Sequence, residues 1–507
     1  MGRNGGVDPD EHIMPMARGA SLNLVGAACT KLALLAIIVV LSWALGAPAV
    51  GRYAQAYALL TVLVAVAGLP FGAGATRFVA MHRAEHDDGA LRGTVRLAVG
   101  GSLVCSMALA GPLFAFAGAA AHQVFHDAAL VTPLRLVAVA LPAATLAEAA
   151  LVATVGFSRM RARAVVKLVL EPAVRLGLTV ALILLGLGLA GPMVALVASS
   201  AAEAVLALRA LRRYLGPIAV PPRYEPRALF GFSIVSGTAW LATNGLVWAD
   251  TLILGALRSS GDVGVYTVAT RIVVLATFVM PAVTQAFAPR ITELHHRGRH
   301  SDLRNAYSVV TGWNLVLTLP AFALLLTFPA ELLALFGHAF SGAVTVTIVL
   351  VAGQLVNAAT GPGGMMLTMS GRPGWGLADN VATLALNVAL NLILIPRYGI
   401  VGAALAWSVS LTLVNAARVA QVWLLLRMAP FQLAQARTVL AAVVAGCSGL
   451  LAAHPLSGPA RLAIGAAAIS GTYLLLIAFL HRRTEDRLVA RMLTRRTMAL
   501  LNPRRQT

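Results

Sequence analysis

Charged residues are scarce in this chain, and acidic residues are scarcer than basic ones. Only 11% of the 507 residues are Asp, Glu, Lys or Arg, whereas 59% are apolar. Ordinary soluble proteins carry about 25% charged residues, so this composition argues against a soluble enzyme and for a polytopic membrane protein. The three cysteines, Cys29, Cys105 and Cys447, lie in apolar runs, which offers neither a disulfide framework nor a cysteine metal cluster.

Long polar segments are also missing. The longest predicted outer connection lies near residues 119–131, and the longest predicted cytoplasmic loop is 213–228. A membrane glycosyltransferase, ligase or polymerase usually carries a catalytic loop or an acidic cluster outside the bilayer, and neither occurs here. No glycine-rich phosphate loop follows a strand pattern, so ATP-driven transport by this chain alone is not expected. We therefore expect a protein that is not an enzyme, with no catalytic residue, metal or cofactor.

Long apolar runs are what the sequence has in abundance. A transmembrane helix needs about 20 predominantly apolar residues. Fourteen runs meet this requirement, near residues 21–46, 53–81, 95–119, 131–157, 165–189, 191–212, 229–257, 264–289, 305–328, 342–370, 375–395, 399–426, 436–454 and 460–481. An even number of spans places both termini on the same side of the membrane.

The basic residues predict which side that is. The chain has 39 Lys and Arg against 19 Asp and Glu, a formal net charge of +20. If the N-terminus is cytoplasmic, 29 basic residues fall in cytoplasmic tails and loops, and only Arg52, Arg258, Arg397 and Arg461 fall in outer loops. The positive-inside rule then predicts a multi-pass protein with both termini in the cytoplasm. We expect it in the cytoplasmic (inner) membrane of a bacterium. This distribution explains the charge without a nucleic acid partner.

The predicted cytoplasmic tail after the last span is especially basic. Arg487, Arg491 and Arg495 recur every four residues and share one helical face, while apolar residues cluster away from them. This pattern favours an interfacial helix on anionic membrane lipid. A tail that binds a partner protein is the alternative.

Two halves of the chain repeat at a nearly constant offset. The segment G-R-Y-A-Q-A from Gly51 matches G-V-Y-T-V-A from Gly264, which is 213 residues later. Residues 188–195 match residues 399–406 at an offset of 211. Six predicted spans separate the copies, and an even number makes the repeats parallel. Chance matching of small residues is the alternative to two six-helix lobes.

The predicted fold class is an all-α polytopic membrane protein with about 14 transmembrane helices, arranged as two parallel-repeat six-helix lobes plus a C-terminal helix pair. The predicted parts are a cytoplasmic N-terminal tail, an N-lobe, a cytoplasmic linker, a C-lobe, the last two spans and a basic tail, at residues 1–20, 21–214, 215–228, 229–427, 436–481 and 482–507. Two lobes around a shared cavity is a transporter architecture.

Three stretches of the second half resemble one family. They are NLILIPRYGIVGAALAWSVS (Asn391 to Ser410), ADTLILGALRSSGDVGVYTVATRI (Ala249 to Ile272) and GPGGMMLTMSGRPGWGLADN (residues 361–380). The first is similar to N-x-x-L-I-P-x-x-G-x-x-G-A-A-x-A, and the second to D-x-x-x-L-G followed by G-x-Y-x-x-A-x-R-I. Both motifs are typical of polysaccharide flippases of the O-antigen or teichoic-acid type. These flippases belong to the multidrug/oligosaccharidyl-lipid/polysaccharide exporter superfamily.

The resemblance implies a V-shaped pair of lobes that works by alternating access. It implies that the chain moves a polyprenyl-diphosphate-linked oligosaccharide from the inner to the outer leaflet, for cell-surface polysaccharide biosynthesis. In related lipid II flippases the arginine of the A-x-R motif lines the central cavity, and Arg271 occupies that position. The alternatives are a drug/cation antiporter of the same superfamily, a lipid II flippase, or a non-transporting scaffold of a glycan-assembly complex. The deep basic residues Lys31, Arg175 and Arg271 argue against an antiporter, which is expected to have deep acids without deep basic residues.

Ionised residues inside the predicted spans are the first candidate site residues. Each costs about 2.5–3.5 kcal/mol at the bilayer centre, so these side chains must face the protein interior, pair with one another or reach an interface. Lys167, Glu171 and Arg175 recur every four residues and share one helical face. They form either a self-neutralising ladder between helices or a wet stripe that guides a diphosphate. Arginine suits a diphosphate because its planar fork donates two hydrogen bonds at once.

The predicted residues for diphosphate or sugar binding are Arg271, Lys31 and Arg175. The candidates for coupling to a proton or sodium gradient are Glu171, Glu203 and Glu148. At the repeat offset Arg271 falls on Ala58 and Lys31 on Asn244. A structural pair essential to a lobe would be expected in both copies, so this difference favours a functional role.

Helix breaks inside the spans are the second class of candidates. Proline and glycine release backbone groups, which a membrane tolerates only against protein or water. The hinge candidates for alternating access are Gly68, Pro70, Pro281 and Pro362. Simple kinks for close packing are the alternative.

Overall fold

The computed structural model describes residues 9–158, 160–216 and 220–480, with side chains from residue 26 onward except at residues 239, 240, 243 and 373. Throughout these ranges the regular structure is helical, which confirms the predicted all-α class. The predicted basic tail, residues 482–507, lies outside the described residues, as do residues 1–8 of the predicted N-terminal tail.

The first half of the described chain forms eight α-helices: α1 (Pro9–Gly68), α2 (Gly72–Ala84), α3 (Asp88–Ala115), α4 (Ala117–Ala119), α5 (Val131–Gly156), α6 (Met160–Val165), α7 (Glu171–Leu184) and α8 (Ala190–Leu215). Two π-helical turns, Ala120–Val124 and Val166–Leu170, and one 3-10 turn, Ala128–Leu130, lie between them.

The second half forms ten α-helices: α9 (Pro226–Leu257), α10 (Ser260–Ala276), α11 (Met280–His296), α12 (His300–Thr327), α13 (Pro329–Ala334), α14 (Val344–Thr360), α15 (Gly363–Met369), α16 (Pro373–Leu426), α17 (Leu433–Ala453) and α18 (Gly458–Leu480). A 3-10 turn, His338–Ala343, precedes α14.

Nine of the described helical segments are long and apolar enough to cross a membrane, or ten if the bent pair α10 and α11 is one span. Two of the nine, Gly26–Gly68 and Gly374–Leu426, have 43 and 53 residues, about twice the length that one crossing needs. Each contains a glycine with left-handed backbone, Gly46 at φ 78° and Gly399 at φ 57°. The chain is therefore a multi-pass membrane protein, and the count of fourteen spans stays a prediction.

Large apolar side chains on the helix surfaces agree with a lipid environment. Trp43, Leu184 and Leu451 are 72%, 81% and 76% exposed. In water so much exposed apolar surface would drive association, whereas in a bilayer it faces hydrocarbon.

The described residues divide into two compact units. Within them, the first unit comprises the described residues of 9–278 together with 333–353 and 372–417, and the second comprises 279–332, 354–371 and 418–480. This division follows helix contacts such as that of α1 with α9 and α10, so the first unit includes helices of both predicted lobes. The lobe boundaries at residues 21–214 and 229–427 stay a prediction.

Small residues allow close helix packing in the first unit. α5 packs against α3 and α8, and its contact face carries Ala147, Ala150 and Ala153, which are all fully buried. Small side chains let helix backbones approach, and in lipid this packing is what holds helices together.

In the second unit, a tyrosine hydroxyl forms a hydrogen bond with the backbone at the end of a helix. The hydroxyl of Tyr307 on α12 donates to the backbone carbonyl of Thr360, the last residue of α14, at 2.9 Å. The break after Thr360 leaves that carbonyl without an intrahelical donor, and an unpaired buried carbonyl is costly in a membrane. Tyr307 therefore stabilises the interrupted helix.

In the first unit, α1 and α10 meet at two glycines related by the repeat. A Cβ on Gly51 would overlap the carbonyl oxygen of Ser260, and a Cβ on Gly264 would overlap that of Ala47. Gly51 and Gly264 are 213 residues apart, and so are Ala47 and Ser260. The same contact thus occurs twice, once from each copy of the repeat.

A polar contact adjoins these glycines on the predicted outer side. Arg52 donates from Nε and Nη2 to the two carboxylate oxygens of Asp127, at 2.7 and 3.1 Å, and the Ser260 hydroxyl donates to Oδ2 at 2.6 Å. Burial acts to raise the pKa of the Asp127 carboxyl, but the hydrogen bonds from Arg52 and Ser260 outweigh it and hold that pKa below its usual range. The connection before α5 is thereby tied to α1 and α10.

Candidate functional site

Lys31 on α1 and Arg271 on α10 line the same small cavity. Its volume is about 30 Å³, roughly that of one water molecule in the liquid, and its other walls are apolar side chains of the same two helices. Lys31 is exposed and Arg271 is partly buried. No carboxylate lines this cavity, so the two basic groups create a positive site between α1 and α10.

The guanidinium of Arg271 lies on an aromatic face. Its Cζ is 4.8 Å from the ring centroid of Trp248 on α9, a cation–π contact. Its Nε is buried and has no hydrogen-bond partner among the described residues. Since a buried donor without an acceptor is costly, an anionic ligand that reached this nitrogen would be bound favourably.

A row of aromatic rings connects Arg271 with Arg175. The edge of Tyr57 meets Trp248, with ring centroids 5.4 Å apart and planes at 75°. The guanidinium of Arg175 lies over the ring of Tyr57, with its Cζ 4.8 Å from the ring centroid. No sequence pattern singles out Trp248 or Tyr57, because an aromatic residue in an apolar helix looks the same in the sequence whatever it packs against.

Arg175 differs from Arg271 in having a counter-ion. It is buried, and its Nε lies 3.4 Å from Oε1 of Glu171, one turn earlier on α7. The structure therefore places Lys31 and Arg271 together at one cavity, and it places Arg175 beyond the aromatic row with its charge balanced.

The predicted coupling acids belong to a network between α5, α7 and α8. Lys167, in the π-helical turn before α7, lies 3.6 Å from Glu148 and 3.1 Å from Glu203, and Arg163 donates to Glu148 at 2.8 Å. Glu171 and Arg175 pair with each other on α7, and whether these charges form a ladder or a wet stripe stays a prediction. A role of these acids in coupling stays a prediction.

A second buried polar cluster surrounds Asp250 on α9. Tyr266 donates to its Oδ2 at 2.9 Å and Asn391 to its Oδ1 at 2.7 Å, while Asn391 also donates to Asn387. Asp250 and Arg271 line a common cavity of about 100 Å³. This cluster is not among the predicted site residues, although Asp250 begins the D-x-x-x-L-G motif and Asn391 begins the N-x-x-L-I-P motif.

The helices break at each of the predicted hinge positions. α1 ends at Gly68 and α2 begins at Gly72, with Pro70 between them. Pro281 is in the first turn of α11, which is bent by 42° from α10, and Pro362 is the N-cap of α15. Movement at these breaks stays a prediction.

Comparison with known families gives a clear match. Residues 16–295, more than half of the chain, match the family model described as polysaccharide biosynthesis protein. The chain belongs to this family. Residues 238–393 also match the model of the MatE family. Both families fit the exporter superfamily, so the resemblance seen in the motifs is confirmed.

Two curated relatives come from Haloferax volcanii. The chain is 28% identical over 191 residues to the probable low-salt glycan biosynthesis flippase Agl15, which covers 38% of this chain and 40% of that protein. It is 30% identical over 169 residues to the probable flippase AglR, which covers 33% and 36%. The matched segments thus span about two fifths of these relatives or less.

Solved structures share the fold over most of the chain. The lipid II flippase MurJ, in an inward closed conformation, is 12% identical with a TM-score of 0.73, and the match covers 91% of this chain and 99% of MurJ. An inward-facing multidrug resistance transporter of the MATE family is 15% identical with a TM-score of 0.60, covering 80% and 98%. The chain therefore has the fold common to MurJ and MATE transporters.

Proposed function

We propose that this protein is a non-catalytic flippase for a polyprenyl-diphosphate-linked oligosaccharide. It moves the lipid from the inner to the outer leaflet of the cytoplasmic membrane by alternating access, for cell-surface polysaccharide biosynthesis. The observation that carries the proposal is the pair of Lys31 and Arg271, two basic groups that line one cavity and have no carboxylate partner among the described residues. The similarity to Agl15, a probable low-salt glycan biosynthesis flippase, supports a glycan substrate.

A diphosphate would bind between these two groups. The guanidinium of Arg271 would donate two parallel hydrogen bonds to phosphate oxygens, and the ammonium of Lys31 would add a second positive charge. The present cavity of about 30 Å³ is too small for this group, so α1 and α10 must part to admit it. The breaks at Gly68, Pro70 and Pro281 are the hinges that we propose for this motion, with Pro362 in a third broken helix.

The energy source that we propose is a proton or sodium gradient, with Glu171, Glu203 and Glu148 as the coupling candidates.

The fold shared with MurJ and MATE transporters is equally compatible with three alternative functions: a drug/cation antiporter, a lipid II flippase and a non-transporting scaffold. Uptake of a cationic dye by vesicles containing the chain would favour the antiporter. Flipping of a polyprenyl-diphosphate sugar by the same vesicles would exclude the scaffold.

The test of the proposal is the variant Arg271→Ala. It removes a charge-assisted contact worth about 2–5 kcal/mol, so we expect surface polysaccharide to fall at least thirty-fold at an unchanged protein level. Arg271→Lys, which keeps the charge and loses the fork, should give an intermediate level. Arg209→Ala, on the exposed side of α8, is the matched control and should leave the polysaccharide unchanged. Wild-type polysaccharide in the Arg271→Ala strain would overturn the assignment.

A further inference from the structure

A larger cavity lies elsewhere in the first unit, apart from the pair of Lys31 and Arg271. Its volume is about 360 Å³, within the range of about 300–1,000 Å³ that is typical of small-molecule sites. Its walls come from six helices, α1, α2, α3, α5, α6 and α9. None of the residues predicted to bind the diphosphate lines it.

Small residues at a helix break leave this space open. Gly68 and Gly72, at the end of α1 and the start of α2, both line the cavity, and a Cβ built on either would meet no other atom within 4 Å. Protein interiors are normally filled to the density of organic crystals. An opening of this size, lined by residues without side chains, is therefore a candidate ligand site.

Two buried hydroxyl groups on the cavity wall have no hydrogen-bond partner among the described residues. They belong to Ser102 on α3 and Thr145 on α5, which are 0% and 1% exposed. Ser106 and Thr154, on the same two helices but away from the cavity, donate to backbone carbonyls of the preceding turn. The two cavity hydroxyls thus have no protein partner, whereas buried polar groups are normally paired.

The charged groups on the wall balance each other. Arg163 donates from Nη2 to Oε1 of Glu148 at 2.8 Å, and both residues line the cavity. An anion would meet the carboxylate and a cation would meet the guanidinium, so neither is favoured. The guanidinium supplies donors, the carboxylate supplies acceptors, and the hydroxyls supply both, which together suit a neutral group rich in hydroxyls.

We propose that this cavity binds a neutral sugar ring of the lipid-linked substrate. The inference rests on the proposed function, because it gives a binding site to the sugar of the lipid head group, which Lys31 and Arg271 would not contact. Sugar hydroxyls donate to Glu148, accept from Arg163, and exchange hydrogen bonds with Ser102 and Thr145. A bound ring also lies against the break between Gly68 and Gly72, so its presence affects the geometry of that hinge candidate.

The test compares two kinds of lipid on the full chain in nanodiscs. One is bare polyprenyl diphosphate, and the other carries a single glucose, galactose, mannose or N-acetylglucosamine, each measured separately. We expect the wild-type chain to bind at least one sugar-bearing lipid about ten-fold more tightly than the bare lipid. Each hydrogen bond to a hydroxyl is worth roughly two- to twelve-fold, so Ser102→Ala with Thr145→Val should bring this ratio to within about two-fold of one.

The matched control is Ser106→Ala with Thr154→Val, which removes the same two hydroxyl types from the same two helices outside the cavity. It should keep the wild-type ratio. A wild-type chain that prefers no sugar-bearing lipid would overturn the inference, and so would a cavity variant that keeps the full preference or a control that loses it. If the double variant does not fold, the single variants give the same comparison.

Arg271→Ala separates this inference from the proposed function. It should weaken binding of the bare and the sugar-bearing lipids by the same factor, so that their ratio remains. If Arg271→Ala leaves the affinities for both lipids unchanged, Arg271 does not bind the diphosphate. The ratio of the affinities for the sugar-bearing and bare lipids then still shows whether the cavity binds a sugar. If it weakens both and the cavity variant has no effect on the ratio, only the sugar site fails.

Discussion

Lys167 holds two buried carboxylates at once, and its replacement should show how much the network between α5, α7 and α8 contributes to stability. It is 3.1 Å from Glu203, whose side chain is only 2% exposed, and 3.6 Å from Glu148. Lys167→Met keeps a long side chain and leaves Glu203 buried without a counter-ion. Removal of one partner of a fully buried pair costs about 3–5 kcal/mol, and because the Lys167 side chain is 34% exposed we expect a smaller loss, seen as a lower thermal unfolding midpoint in detergent.

Two further variants check the cause of that loss. Lys167→Met combined with Glu203→Gln removes the uncompensated charge and should recover part of the stability. Arg209→Met, an equivalent replacement at an exposed position, should leave the unfolding midpoint unchanged. Equal midpoints for Lys167→Met and the wild type would show that the pair does not stabilise the fold.

Single charges are the features that the sequence reveals best at this scale. Arg271 and Lys31 stand out because they interrupt apolar runs, and the pair of Glu171 and Arg175 is visible from its four-residue spacing. Their surroundings are not visible in the same way. Whether Trp248 packs on an arginine or on a leucine depends on which helices meet, and no local pattern records that.

At the scale of helices, the glycine contact between α1 and α10 should be sensitive to a single methyl group. Gly51→Ala places a Cβ where the carbonyl oxygen of Ser260 lies, so the helices must move apart. Overpacking of this kind costs about 1–3 kcal/mol, and we expect the thermal unfolding midpoint to fall accordingly. Gly264→Ala should have a similar effect, because it makes the repeat-related overlap with Ala47.

Gly100→Ala on α3 is the control for these two variants, because its Cβ meets no other atom within 4 Å. Its midpoint should equal or slightly exceed that of the wild type, since alanine favours a helix over glycine. If Gly51→Ala is as stable as Gly100→Ala, close approach at Gly51 is not required.

Helix breaks follow from composition, whereas their form does not. Proline and glycine at Gly68, Pro70 and Pro281 identify the interruptions correctly. The predicted connections after the first and eleventh spans lie beside Gly46 and Gly399, where non-helical backbone at a single glycine joins two helical segments. One glycine with left-handed backbone is enough to turn the chain, and a hydropathy pattern shows only that the apolar run is interrupted.

At the scale of the whole molecule, the distribution of basic residues makes a prediction about orientation. Of the 39 Lys and Arg, 29 fall in the segments predicted to be cytoplasmic. Green fluorescent protein fused after Thr507 should therefore fluoresce, and alkaline phosphatase at the same place should be inactive. Phosphatase inserted in the connection near residues 119–131 should be active. The reverse pattern would show that the chain has the opposite orientation.

Fold class and family are predictable at this scale because they depend on average composition and on motifs within continuous stretches. The division into two compact units is not, because residues 333–353 and 372–417 join the first unit through contacts with distant segments. Hydropathy gives the order of the helices along the chain but not their neighbours.

The doubled glycine contact has the form of a twofold-symmetric interface within one chain. In a symmetric dimer, residue i of one subunit meets residue j of its partner, and j meets i in return. Gly51 meets Ser260, and Gly264 meets Ala47, in the same relation. The two glycines are 213 residues apart, as are the two residues that they meet, so the second copy of the repeat takes the place of the second subunit. The two halves of this protein thus meet as the subunits of an isologous homodimer would. The contact is symmetric while the residues around it are not, since Arg271 and Asp250 in one half stand where Ala58 and Ile37 stand in the other.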